Sequence, residues 1–358
     1  MKILDRYILT KFLSAFFFVV AILVTIVCVI DLTEKNDEFI KHNLGIGEIL
    51  GYYAAFIPFI ANFITPITVF IATVFVTAQM AGHTEIIAIL SSGVSFRRMM
   101  VPYLLGASII GALSFALTGY ILPNANKKRV AFELAYIKKP FRFDQRNIHI
   151  KIGPQSYAYL ESYNNEANVG YRFTLETIKD NQLEAKLTAR RMEWSEEKEK
   201  WVLREWQRRE IDGRQERYEQ GAQMDTTLAI TPKDFGSTYH LQETFTLPEL
   251  QDYIDELTAR GADNIVIYEI EKYVRYMSPF AAIVLTFIGV IMSSRKSRGG
   301  SGLRIASGFG LAFVYIILFV FAKSMAESNT IQSPQLAVWI PNILFAIIGL
   351  VLYRNVPR

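Results

Sequence analysis

The sequence contains a single cysteine among its 358 residues, Cys28, so the chain cannot form an internal disulfide or a thiolate metal cluster. Histidine is almost as scarce. The four histidines stand at isolated positions without metal-binding spacing, namely His42, His83, His149 and His240. We therefore expect no bound metal ion.

Sequence signatures of nucleotide binding and covalent catalysis are also missing. The glycines at 299, 300 and 302 lack the spacing and the following lysine of a phosphate-binding P-loop. A Gly-x-Ser-x-Gly nucleophile motif does not occur either. We expect a non-catalytic chain with no cofactor and no nucleic-acid partner, so any energy that it uses must come from another protein.

Long stretches of the chain carry no charged residue, and each is long enough to cross a bilayer. They lie between Lys11 and Asp31, Glu48 and Glu85, Arg98 and Lys127, Arg275 and Arg295, Arg304 and Lys323, and Glu327 and Arg354. These runs predict six transmembrane helices, the first of them too long for the core of a cleaved signal peptide. Ionisable residues are nearly absent inside them, which disfavours a proton-coupled transporter.

The short connections differ in charge between the two sides of the membrane. The termini and the loops at 81–99 and 295–304 carry eleven Lys and Arg residues, whereas the opposite short connections carry about three. Basic connections favour the cytoplasm. We therefore predict that both termini are cytoplasmic and that the large central domain lies on the far side.

Charge is concentrated in the middle of the chain, where 50 of the 72 charged side chains lie between Lys127 and Arg275. Apolar and polar residues alternate there, as in Tyr171, Phe173 and Leu175, which is typical of half-buried strands. Turn signals about every ten residues favour an antiparallel sandwich or jelly roll. Thr246 and Glu249 then form the sequence pattern of a helical capping box.

The predicted fold is an α+β membrane protein with three transmembrane helices, an inserted antiparallel β jelly roll and three more transmembrane helices. Four parts follow in order. They are 1–126 with the first three spans, 127–245 with the jelly roll, 246–275 with helices outside the membrane, and 276–358 with the last three spans.

A short amphipathic helix is predicted at 84–93, on the cytoplasmic side between the second and third spans. Thr84 is suited to cap its start, Glu85 to lie near the positive end of its dipole, and Gly93 to end it in the left-handed conformation. Ile86, Ile89 and Leu90 share one face at helical spacing. A helix this short is marginal alone, so it must lean on the membrane interface or on another protein.

This arrangement resembles the LptF/LptG permeases of lipopolysaccharide export, over essentially the whole chain. The opening Leu4, Asp5, Arg6, Tyr7 and Ile8 is similar to the start of the LptG type. The stretch from Glu85 to Gly93 is similar to the coupling helix of that family, in which an acidic residue precedes an apolar turn and a Ser-Gly pair.

The resemblance implies one half of an ABC exporter in the bacterial inner membrane, with the β domain in the periplasm. An LptF-like subunit, a cytoplasmic ATPase dimer that binds ATP-Mg and a periplasmic jelly-roll bridge protein would be its partners, and lipopolysaccharide its cargo. The residues expected to couple to the ATPase are Glu85, Ile86, Ile89, Leu90, Ser92, Gly93 and Arg97.

Lipid contacts are expected in two places. Phosphates would meet cations at the outer membrane surface, and acyl chains would meet apolar side chains of the β domain. The expected residues are Lys35, Lys41, Lys127, Lys128, Arg129, Tyr171, Phe173 and Leu175. The segment after the first span departs from the family's basic pattern, because Asp31, Glu34, Asp37 and Glu38 surround Lys35. Either divalent cations bridge these carboxylates to phosphates or the phosphate contacts lie elsewhere.

Two alternatives remain open on the sequence alone. The chain could be an ABC permease for another lipid or for lipoproteins, since the coupling logic would be the same. It could also be a membrane-anchored sensor or scaffold whose β domain binds a protein. A single span would suffice for an anchor, which counts against the second alternative.

Overall fold

The computed structural model describes residues 3–139, 141–180, 182–213, 215–260, 265–294, 302–328 and 330–354. Its chain divides into two compact units. The helical unit comprises Met1–Ile137, Gln242–Leu250 and Val266–Arg358, and the strand unit comprises Lys138–Leu241 and Gln251–Ile265. The α+β class predicted from the sequence is therefore confirmed.

Two of the helices before the sheet extend well beyond the predicted spans. The helices of this part are α1 (Ile3–Lys41), α2 (Ile46–Phe63), α3 (Thr65–Gly82), α4 (Glu85–Ser91), α5 (Phe96–Ala116) and α6 (Leu122–Phe132). π-helical turns at Leu117–Ile121 and Glu133–Ile137 extend α5 and α6 into one 42-residue helix, Phe96–Ile137. In α1, the residues before the first predicted span, the span itself and the charged segment after it form one helix of 39 residues.

The second predicted span is two helices rather than one. The break falls at Ile64, two residues before Pro66, which lies in the first turn of α3. Proline fits the first turn of a helix, where its missing N–H is not needed, but it cannot continue a preceding helix without loss of a hydrogen bond. Seven described helices are consequently long and apolar enough to cross a membrane, so the predicted count of six is not confirmed.

The last helices are α7 (Leu247–Arg260), α8 (Ile265–Ser293), α9 (Gly302–Glu327) and α10 (Pro334–Arg354). The predicted capping box is present at the start of α7. The Thr246 amide donates to Glu249 Oε2 at 2.7 Å, and the Glu249 amide donates to Thr246 Oγ1 at 3.5 Å. Of the predicted basic loop at 295–304, residues 295–301 lie outside the described part of the chain.

Close helix crossings place α8 at the centre of the helical unit. A Cβ on Gly111 of α5 would come within 2.9 Å of the Pro279 Cα in α8, and one on Gly289 of α8 within 2.9 Å of Thr73 in α3. Small residues let helix backbones approach in this way inside a membrane. α8 is also tied to α10, where the buried Asn342 amide donates to the Met277 carbonyl at 3.4 Å.

The strand unit contains one six-stranded antiparallel sheet with its strands in chain order. They are β1 (Arg146–Gly153), β2 (Ser156–Asn164), β3 (Val169–Lys179), β4 (Gln182–Ser195), β5 (Lys200–Asp212) and β6 (Gln215–Thr226). Tight turns join successive strands, so each pairs with its neighbour in the sequence. The predicted jelly roll is not confirmed, since that topology needs two sheets joined by long connections.

A strand-like run at residues 224–230 predicts a last strand there, but β6 ends at Thr226. β6 begins nine residues earlier, at Gln215, and its side chains are exposed along most of its length. A strand with little burial on either face carries little apolar alternation, so the periodicity gave no signal for it. The core of the sheet lies on the other strands and is centred on Trp201, Phe173, Tyr163, Met192 and Phe235.

Candidate functional site

The short helix predicted at 84–93 is present as α4, in a turn between α3 and α5. Gly93 ends this turn with a φ of +86°, in the left-handed region that the sequence predicted for it. The predicted cap by Thr84 is wrong. Thr84 itself adopts a left-handed conformation (φ 60°), and its hydroxyl donates to the His83 carbonyl at 2.6 Å instead of accepting from the helix.

The apolar residues of α4 face two directions. Ile86 is buried in the same cluster as Ile8 and Phe12 of α1, and Ile89 packs against that cluster. Ile87 and Leu90 are exposed. Of the predicted apolar face, Leu90 is therefore free to meet a partner, whereas Ile86 is used internally. Ile87 was missed, although its i, i+3 spacing to Leu90 was a signal for a second face.

The carboxylate of Glu85 is held by two side chains of α1. The Tyr7 hydroxyl donates to Glu85 Oε2 at 2.9 Å, and Lys11 Nζ lies 3.2 Å from Glu85 Oε1. Lys11 Nζ also donates to the Tyr7 hydroxyl oxygen at 2.8 Å. We call Tyr7, Lys11 and Glu85 the Glu85 cluster. The side chains of Lys11 and Glu85 each remain 28% exposed, so water and a partner can reach them.

Further polar contacts tie the neighbouring helix ends together. Arg98 in the first turn of α5 pairs with the buried Asp5 of α1, with 2.5 Å between Nη2 and Oδ2. The adjacent Arg97 donates through Nε to the Tyr353 hydroxyl of α10 at 2.8 Å. The predicted coupling residue Arg97 thus lies at the same end of the helical unit as the Glu85 cluster. Ser92 is exposed and bonds only locally, from its hydroxyl to the Ile89 carbonyl.

At the opposite end of α1, Lys35 lies in a buried group of charged side chains. Its Nζ is 2.6 Å from Asp31 Oδ1 and 3.9 Å from Glu133 Oε1, and it also donates to the Tyr52 hydroxyl. The Lys35 side chain is only 17% exposed. Its charge is therefore neutralised by carboxylates of the chain itself.

Arg129 belongs to the same group and is buried more deeply, with 4% of its side chain exposed. Its guanidinium pairs with Glu133 at 3.2 Å and with Glu243 at 2.6 Å, and it stacks on Phe59 with 3.9 Å to the ring centroid. We call this group the buried ion network. Its members are Asp31, Lys35, Tyr52, Arg129, Glu133 and Glu243.

The remaining predicted phosphate contacts lie at the surface. Lys41 is exposed and pairs with Glu38 at 3.0 Å, and Lys128 is exposed. Lys127 lies 3.6 Å from the Glu249 carboxylate. Hydrogen bonds from the backbone and side chain of Thr246 lower the pKa of Glu249, and Lys127 adds to this effect. The structure thus separates the five cations into two buried and three exposed ones.

The three β-domain residues predicted on one face do not share it. Phe173 is buried, Leu175 is half-buried, and Tyr171 is exposed and stacks with Arg191 on the outside. Arg172, between Tyr171 and Phe173, has a left-handed φ of 50°, which breaks the strict alternation of a regular strand. Strand periodicity alone could not reveal this reversal.

Aromatic residues that the sequence did not single out fill the apolar face of the sheet. Tyr163 stacks on Phe235 with ring centroids 4.0 Å apart, and the Trp201 indole donates to the Ile230 carbonyl at 2.7 Å. Within the described ranges, no group of three His, Cys, Asp or Glu side chains is placed to hold a metal ion.

A comparison with protein families bears on the whole chain. A family model described as lipopolysaccharide export system permease LptF/LptG matches residues 6–355, which include both sets of apolar helices, α4 and the sheet. No curated protein matches the chain.

Proposed function

The chain belongs to the LptF/LptG family of lipopolysaccharide export system permeases, and we propose that it is the LptG-type membrane subunit of an ABC-type exporter. In this role it extracts lipopolysaccharide from the inner membrane and passes it to a periplasmic bridge that leads toward the outer membrane. The observation that carries the proposal is the family match over residues 6–355, because it covers the helices and the inserted sheet together.

The partners follow from the same role. A homologous LptF-type subunit completes the membrane part, a cytoplasmic ATPase dimer binds and hydrolyses ATP-Mg, and a periplasmic bridge protein receives the lipid. This chain itself is non-catalytic. The orientation inferred from the basic connections puts the termini and α4 in the cytoplasm and the sheet in the periplasm.

The free-energy cost of removing lipopolysaccharide from the bilayer explains why the exporter needs an ATPase. Exposure of an acyl chain to water costs about 0.8 kcal/mol per methylene, and a lipopolysaccharide carries several chains. Extraction must therefore be driven, and the chains need apolar shelter on the way. The half-buried Leu175, beside the buried Phe173 in β3, is our candidate for contact with acyl chains in the sheet.

The contacts to lipid phosphates are expected at the exposed cations rather than at the buried ones. Lys35 and Arg129 already pair with carboxylates of the chain. Lys41, Lys127 and Lys128 remain at the surface, where a phosphate can approach without desolvating a buried pair. Surface ion pairs such as Lys41–Glu38 are weak enough for a phosphate to replace them.

Docking of the ATPase is proposed at the exposed side of α4, through Ile87 and Leu90 beside Glu85. The test is Leu90→Asp, with co-purification of the ATPase from the native membrane as the measurement. A charge in an apolar contact is costly, so we expect ATPase recovery to fall on the order of tenfold or more. Ala88→Asp adds the same charge to another exposed position of α4 and serves as the matched control.

The alternatives make different predictions for the same preparations. A sensor or scaffold would yield no ATPase even from the unmodified chain, and that result would overturn the proposal. A photo-crosslinker at Leu175 then distinguishes the cargo. ATP-dependent adducts to lipopolysaccharide are expected, whereas adducts to another lipid or to a lipoprotein would show a permease with a different substrate.

A further inference from the structure

The Glu85 cluster joins α4 to α1 through the carboxylate of Glu85. One oxygen of Glu85 accepts from Tyr7 and the other from Lys11, and both donors belong to successive turns of α1. Glu85 is also the only charged residue of α4. Any displacement of α4 therefore acts directly on the first three turns of α1.

α1 is built to carry such a displacement over a long distance. Its 39 residues contain neither glycine nor proline, so the usual causes of helix kinks are missing. From Lys11 to Lys35 the helix rises roughly 36 Å, at about 1.5 Å per residue. A rigid helix can carry a displacement between two sites, so a shift at Lys11 would be passed on toward Lys35.

Both ends of α1 make polar contacts with neighbouring helices, whereas one face of its middle is exposed. Lys35 bonds to Tyr52 of α2 and lies near Glu133 beyond α6, and Tyr53 of α2 donates to Asp31 at 3.1 Å. Between these ends, large apolar side chains of α1 point away from the helical unit. They include Phe17, Phe18, Ile22 and Ile26.

We propose that Tyr7 and Lys11 are positioning residues that couple α4 to α1, so that ATPase-driven movement of α4 is transmitted along α1 to the buried ion network. The inference rests on the proposed function, since it takes α4 to be the docking element. It adds that Glu85 acts inside the subunit, through α1, in addition to any contact with the ATPase.

The Glu85 cluster contributes little to the stability of the fold. Its role in coupling can therefore be tested separately from folding. Ile86 already anchors α4 in the apolar core without help from Glu85. Exposed ion pairs contribute little to stability, because water competes for both partners. Removal of Lys11 or of the Tyr7 hydroxyl should therefore leave α4 in place and available to the ATPase.

The test uses the complete exporter reconstituted in vesicles that contain lipopolysaccharide. Lys11→Met and Tyr7→Phe are compared with Arg6→Met, which removes an exposed cation next to Tyr7 in α1. We measure co-purification of the ATPase and the amount of lipopolysaccharide extracted per ATP hydrolysed. We expect unchanged co-purification, and for Lys11→Met a fall in the extraction ratio of about two- to fivefold, the range that corresponds to the weak energy of a partly exposed ion pair.

A charge exchange tests the contact itself. Glu85→Lys alone breaks it, and the double variant Lys11→Glu with Glu85→Lys restores an ion pair of reversed polarity. The extraction ratio of the double variant should exceed that of Glu85→Lys. Normal co-purification with equal ratios for Lys11→Met and Arg6→Met, or no gain in a double variant that recovers as much ATPase as Glu85→Lys, would overturn this inference alone. Failure of the unmodified chain to bind an ATPase would instead overturn the proposed function, and this role with it.

Discussion

The two ends of α1 both combine carboxylates with cations, yet they differ in burial. In the Glu85 cluster, Lys11 and Glu85 are each 28% exposed. In the buried ion network, the side chains of Arg129 and Glu133 are 4% and 6% exposed. Water can replace a lost partner at the first end but not at the second. Similar residues therefore form a solvent-accessible contact at one end and a mostly buried one at the other.

The charge balance of the buried ion network adds to this contrast. Three carboxylates, Asp31, Glu133 and Glu243, share the two cations Lys35 and Arg129. Glu133 Oε1 accepts from Arg129 and Tyr52, whereas Glu133 Oε2 is buried with no hydrogen-bond partner among the described residues. Burial of charge is costly unless each ion is paired, so the network depends on every cation that it has.

The largest effect is expected from Arg129→Met. This change removes a cation from the buried Glu133 and from the partly buried Glu243, which should lower the free energy of unfolding by about 3–5 kcal/mol. Thermal unfolding of the purified protein in detergent measures the effect. Lys128→Met, which removes the neighbouring exposed cation, is the control and should unfold as the unmodified chain does. An equal loss of unfolding free energy in Arg129→Met and Lys128→Met would show that the buried ion pairs of Arg129 do not stabilise the fold.

An intermediate effect is expected from Tyr52→Phe. The ring keeps its stacking on Phe132, with centroids 4.8 Å apart, but the hydroxyl between Lys35 and Glu133 is lost. Unpaired buried polar groups cost about 1–3 kcal/mol. The same thermal measurement applies, with Tyr53→Phe as the comparison at a more exposed position. A larger loss of unfolding free energy for Tyr53→Phe than for Tyr52→Phe would contradict the expectation that the more buried hydroxyl contributes more.

The smallest effect on stability is expected from Lys11→Met in the Glu85 cluster. The free energy of unfolding should change by less than about 1 kcal/mol, since the pair is partly exposed. Added salt should reduce even this difference, because mobile ions screen exposed pairs more than buried ones. A loss as large as that of Arg129→Met would mean that both ends of α1 are structural anchors, and the contrast between them would disappear.

The sequence identified some local features correctly, and these share a physical basis. Gly93 adopts the left-handed conformation, and Thr246 with Glu249 forms the capping box. Both depend on residues within a few positions of one another, so local chemistry decides them. The break at Ile64 was missed because Pro66 in an apolar run is compatible with a kinked helix as well as with the start of a new one.

The candidate site was predicted only in part for a related reason. Glu85 was singled out, but its partners Tyr7 and Lys11 lie 78 and 74 positions away in the chain. No periodicity in the sequence indicates such a pairing. In the same way, Tyr171 does not share the buried face of Phe173 because the backbone of Arg172 is left-handed. The residue type of Arg172 gives no sign of that conformation.

The sequence by itself determined where the long apolar helices lie and which segment forms a sheet, because the length of an apolar run and its alternation are local properties. The family resemblance followed from the same order of elements. Only the tertiary structure decided which charged side chains are available to a ligand. Lys35 and Glu133 are 98 positions apart, Arg129 and Glu243 are 114, and their pairing determines whether a cation faces a ligand or a carboxylate of its own chain.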